Sequence, residues 1–165
     1  MVNLVKVIES TMETDLKQMK FLKRLLKTNP SDINKLRQST LNPDMMIAPI
    51  HAAVLAENVE ILQYILAMKD VDDNKLAFDT RINTEVGIIW IAIILKTPKN
   101  PDILNLLLEH IRHPWIEVVE YSDLDIALPC CLIQVVEKDR LDLLKVLLGN
   151  ADLREGQFKS FDGHL

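Results

Sequence analysis

The stretch APIHAAVLAENVEILQYIL, residues 48–66, decides how the chain is read, and its second half recurs. ILQYIL at 61–66 has counterparts in FLKRLL at 21–26, ILNLLL at 103–108 and LLKVLL at 143–148, at nearly even spacing. In every hexad the first, second, fifth and sixth residues are apolar. Offsets of one, four and five residues share one face of a helix, so each hexad predicts one buried stripe. The third and fourth positions are mixed (Lys23 and Arg24, Gln63 and Tyr64, Asn105 and Leu106, Lys145 and Val146) and point off the stripe.

The residues before the hexads suit helix starts. Asn58 and Asn100 fit an N-cap, and Pro101 fits a first helical position. Glu60, Asp102 and Asp142 place a negative charge where the helix dipole favours one, whereas Lys20 breaks the pattern in the first unit. A second apolar segment precedes three of the hexads: APIHAAVLAE at 48–57, IIWIAIILK at 88–96 and LPCCLIQVVE at 128–137. Longer polar stretches (TNPSDIN at 28–34, KDVDDNK at 69–75, HIRHPW at 110–115) separate the pairs. Helix pairs at a period of about 40 residues predict a solenoid, in which each repeat buries its stripe against its neighbours. GIIWIAIIL at 87–95, apolar on all sides, fits an interior repeat.

Within this pattern, residues 48–66 resemble the ankyrin repeat. Pro49, Ile50, His51 and Ala53 match the family's Pro-Leu-His-x-Ala, with Ala48 in place of Thr and Glu57 where Gly is frequent. PDILNLLLEH at 101–110 is similar to the family's second helix, and NADL at 150–153 to its closing Gly-Ala-Asp. The period exceeds the family's roughly 33 residues, so the resemblance implies extended connections. HEAT-like helix pairs share the longer period and are the alternative, against which the PIHAA segment argues. The expected fold is an all-α, ankyrin-like helix-pair solenoid forming one domain over 1–165. Its four repeats fall near 1–44, 45–84, 85–124 and 125–155, with a tail at 156–165.

Composition narrows the function. The chain has 165 residues, 48% hydrophobic and 26% charged, with a net charge of −5. That balance argues against a nucleic-acid binder that neutralises many phosphates. Residues 1–44 carry eight Lys/Arg and five Asp/Glu, a charge of +3, which leaves −8 on the remainder. Cys130 and Cys131 are adjacent, a poor geometry for a mutual disulfide, and read as thiols of a reducing compartment. No signal peptide is expected at the N-terminus, and nine apolar residues at 87–95 cannot span a bilayer as a helix. A cytoplasmic protein without membrane insertion is expected.

The candidate chemistry is sparse. His51 lacks a nucleophile fixed beside it by sequence, and the resemblance implies a histidine that ties a turn to backbone groups. His110 and His113, even with Cys130 and Cys131, lack zinc-ligand spacing, because Pro114 ends any helix there. Four glycines leave little room for a phosphate loop. Lys17, Lys20, Arg24 and Lys27 form a basic stripe, read as the solvated outer face of a terminal repeat. Trp90 belongs to the core and Trp115 suits an exposed anchor.

No catalytic residue, metal or cofactor is expected. The resemblance implies a module that binds another protein through its concave face and loop tips. Positions matching that surface are Met46, Ile47, Glu57, Lys99, Asp139 and Arg140, with Asp79, Arg81, Trp115 and Tyr121 on the extended connections. The alternative is a non-catalytic regulatory or targeting domain of a larger enzyme or effector. The terminal DGHL resembles the opening of a further repeat. An under-covered last repeat implies weak self-association, or docking of the tail through Phe158 and Phe161.

Overall fold

The connections between the helix pairs carry a sheet. The computed structural model describes residues 2–10, 16–73, 75–81, 83–96, 101–110 and 135–149. It opens with α1 (Leu4–Glu9) and α2 (Leu16–Thr28), followed by a short 3-10 turn at Pro30–Asp32. Strands β1 (Arg37–Gln38) and β2 (Met45–Ile47) then lead into α3 (Pro49–Leu55) and α4 (Val59–Leu66). The next connection holds β3 (Ala77–Asp79) and β4 (Thr84–Val86). After it come α5 (Ile88–Trp90), running into a π-helical segment at Ile91–Lys96, and α6 (Asp102–His110). Residues 135–137 are helical and precede α7 (Leu141–Gly149).

The four strands form one antiparallel sheet in the order β1-β2-β3-β4. Arg37 faces Ile47, Met46 faces Phe78, and Phe78 faces Glu85. The β2–β3 pairing joins the connections that flank the α3–α4 pair. The all-α expectation is therefore wrong: the fold is mixed, with helices and a sheet. Strands of two or three residues are too short to show the alternation that marks a strand in sequence, and they fall among turn formers.

The helix contacts run through α3, α4 and α6. α1 lies against α3, and α3 against both α4 and the π-helical segment; α4 lies against α6, and α6 against α7. All seven residues of α3 are buried, which explains its lack of a polar face. Pro49 sits at its first turn, where a missing N–H costs nothing. Ile88, Ile89, Ile91, Ala92 and Ile93 are buried and Trp90 packs partly buried against the same core, as an interior segment requires.

The stripes are complete in the inner units and incomplete in the outer ones. Ile61, Leu62, Ile65 and Leu66 are buried, as are Ile103, Leu104, Leu107 and Leu108. In α2, Leu22 and Leu26 are buried but Phe21 is 56% exposed. In α7, Leu143 and Leu147 are buried but Leu148 is 49% exposed. A stripe is covered fully where neighbours flank it on both sides. The off-stripe positions also find partners. Lys23 Nζ meets Glu60 Oε1 at 2.9 Å and lies 5.3 Å from the Tyr64 ring centroid, which links α2 to α4.

Leu107→Ala should destabilise the chain by about 2–5 kcal/mol, the usual range for a truncated buried leucine. Exposed Asn105→Ala should cost well under half of that. Urea denaturation of the two variants tests the assignment, and equal midpoints would refute it.

Candidate functional site

His51 organises the region that places the candidate surface. Its ring is buried, its Nδ1 accepts from the Ala48 N–H at 3.0 Å, and its Nε2 donates to the Lys75 carbonyl at 2.8 Å. Both ring nitrogens are thus committed to backbone, one at the start of α3 and one in the chain leading to β3. Burial is the main reason its pKa falls from 6.5 to about 4. The imidazole is neutral at neutral pH and acts as a structural bracket.

At one end of α3 lies the sheet. Asp79 is fully buried, and Arg81 closes on it with Nη2 at 2.6 Å and Nε at 3.1 Å. The Arg81 backbone N–H adds a third bond at 2.9 Å. The hydrogen-bonded Asp79 carboxylate holds the Arg81 guanidinium above its ordinary range. Asp44 Oδ2, which sequence reasoning did not single out, lies 3.8 Å from the same guanidinium. Ile47 is fully buried and Met46 half-buried. Ile47 and Asp79 therefore do not present themselves to a partner: one belongs to the core and the other is engaged by Arg81. Met46 and Arg81 remain accessible.

At the other end of α3 lies the turn into α4. Glu57 has φ +54°, in the left-handed region. Its N–H donates to the Val54 carbonyl and the Asn58 N–H to the Ala53 carbonyl, both at 3.0 Å. This is a helix C-terminal closure in which glycine is usual. Asn58 then caps α4, its Oδ1 accepting from the Ile61 N–H at 3.0 Å. The same closure returns before α7. Asp139 has φ +53°, its N–H donates to Val136 and the Arg140 N–H to Val135, again both at 3.0 Å. Glu57 and Asp139 thus occupy one structural position in two units.

Arg140 pairs with Asp142 through Nε at 2.8 Å and Nη2 at 2.6 Å. That pairing holds Asp142 down to about 2, with the Leu143 N–H at the start of α7 adding to the effect. It also holds Arg140 up, and the Glu57 carboxylate acts on Arg140 in the same direction. The turn end therefore gathers Glu57, Asp139, Arg140 and Asp142 into one mixed-charge row. The length of α3 separates it from the sheet end by about 10 Å. Lys99, Trp115 and Tyr121 lie outside the described residues, as do Asn100, His113, Cys130, Cys131 and the tail with its Phe158 and Phe161.

Among the described residues no group of three His, Cys, Asp or Glu side chains is placed to hold a metal. His110 donates through Nδ1 to the Leu106 carbonyl at 2.9 Å. Among the same residues no helix is long and apolar enough to cross a membrane. No family model, curated protein or solved structure matches the chain.

The His51 environment sets a pH dependence. The unfolded chain takes up the imidazole proton near pH 6.5, whereas the folded chain resists it down to about pH 4. The unfolded state therefore binds more protons in that window, and the native state loses stability as the pH falls through it. The loss amounts to at most about 3 kcal/mol. His51→Gln should lower stability at pH 7 and flatten its slope between pH 6.5 and 4. Chemical denaturation across that range measures both effects, and an unchanged slope would refute the assignment.

Proposed function

We propose that the chain is a non-catalytic, ankyrin-like protein-binding module acting in the cytoplasm. Its partner is another protein, met by the charged turn end and by the accessible part of the sheet end. The observation that carries this reading is the repeated left-handed closure. A carboxylate residue stands at Glu57 and again at Asp139, where a glycine would fit without strain. A left-handed backbone costs a non-glycine residue about 1–2 kcal/mol. A cost accepted twice at one structural position, on a turn at the surface, points to use of the side chain. The neighbouring Arg140 completes a surface with both signs of charge, which suits specific contact with a polar partner. The PIHAA segment and the His51 bracket support the ankyrin-like part of the reading.

Glu57→Gly and Asp139→Gly should each stabilise the fold by about 0.5–1 kcal/mol, relief of strain outweighing the added freedom of the unfolded chain. The same changes should weaken partner capture. Affinity capture with the native chain, read by mass spectrometry, should recover one stoichiometric partner. Recovery should fall for both glycine variants and for Arg140→Glu, while Asn105→Ala captures normally. Equal recovery by all four variants would refute the proposal.

A further inference from the structure

α2 contains no acidic residue, and its outward arc carries Lys17, Lys20, Arg24 and Lys27, all exposed. A solvated basic face accounts for those four residues but not for Phe21. The hexad pattern assigns Phe21 to the buried stripe, yet its ring stands 56% exposed. In helical projection it borders Lys17 and Arg24 at the edge of that arc, between the cations on one side and the half-buried Leu25, which leads to the buried Leu22 and Leu26, on the other. An exposed aromatic ring flanked by cations is the arrangement of a surface anchor.

We propose that this face of α2 docks the protein on an anionic lipid surface, without insertion of a helix. The shape of the face favours a bilayer over an acidic protein segment. It is the convex side of a helix, so a protein partner would have to offer a matching pocket for the ring. A lipid interface opens for an aromatic side chain wherever it lands, and its headgroups supply negative charge along the whole ridge. The charge of the chain sets the orientation. α2 carries five Lys/Arg and no acidic residue in a chain of net charge −5, so an anionic surface attracts the protein through this helix.

Co-sedimentation of the full chain with vesicles tests this. Phosphatidylcholine vesicles with about one-third phosphatidylserine should carry the protein down at about 0.1 M salt, and pure phosphatidylcholine vesicles should not. The double variant Lys20→Ala, Arg24→Ala should reduce partitioning by about 25-fold, roughly fivefold per lost cation. Phe21→Ser should reduce it by roughly tenfold. Both variants should melt at the native temperature, because the replaced side chains lie on the outer face. Equal partitioning into the two vesicle types, or no response to the double variant, would overturn the proposal. Binding to polyglutamate that ignores Phe21→Ser, together with failure to sediment with vesicles, would overturn it in favour of an acidic protein segment.

Discussion

The His51 imidazole joins two parts of the chain that the helices alone leave unconnected. One of its bonds fixes the N–H of Ala48 at the entry to α3, and the other holds the Lys75 carbonyl in the chain that leads to β3. Between those points lie α3, α4 and the turn at Glu57. The bracket therefore sets where the second connection leaves the α3–α4 pair and where β3 meets β2. Met45 then faces Asp79, and Arg81 follows close enough to close on that buried carboxylate. An uncharged ring is required throughout, because a protonated Nδ1 would direct a second hydrogen at the Ala48 N–H.

Similar polar brackets tie the first connection. Glu9 is buried at the end of α1, accepting from the Ser39 hydroxyl, from the Thr40 N–H at 2.7 Å and from the Thr40 hydroxyl at 2.6 Å. Asn34 reaches forward to the second connection, donating to the Asp70 carbonyl at 2.7 Å and accepting from the Asp72 N–H at 2.8 Å. Each connection is thereby held by side chains from elsewhere in the chain. Strands of two or three residues have little pairing energy of their own, and a sheet built from them depends on such ties.

Helices were legible in the sequence because a helical period declares itself within a few turns. The hexad helices follow from that period, and the Asn58 cap from a residue type that suits a helix start. The sheet was not legible: β1–β2 and β3–β4 are local pairs of strands too short to alternate, and the β2–β3 register comes from contact between separate connections with a helix pair between them, of which local patterning carries no trace. Phe21 and Leu148 marked the limit of pattern reading in a different way. Their spacing is that of core residues, but whether a stripe is fully covered depends on which neighbours flank the helix, which periodicity cannot report. For the candidate surface, the ankyrin resemblance suggested contact at Ile47 and the extended connection suggested it at Asp79, whereas burial assigns the first to the core and pairing commits the second to Arg81. Glu57 and Arg140 are remote in the chain and come within electrostatic reach only because helix packing brings the two units together.

The two ends of α3 differ in what their polar side chains hold together, which bears on where a partner would act. At the sheet end the polar groups are consumed: His51, Asp79 and Arg81 satisfy backbone or one another. Removing His51 takes the partner from the Ala48 N–H and the Lys75 carbonyl, and removing the Arg81 side chain strips two hydrogen bonds from the buried Asp79 carboxylate, so changes there register first as instability. At the turn end Arg140 and Asp142 pair with each other, but the closures that carry Glu57 and Asp139 are hydrogen bonds between main-chain atoms and do not need those two side chains. Glu57 or Asp139 can be exchanged there while the Val54 and Val136 bonds persist. The backbone of the two closures therefore stands whichever side chain occupies these positions. Selection for a partner can therefore act on the turns, while the bracketed sheet end holds the helices that carry them in place.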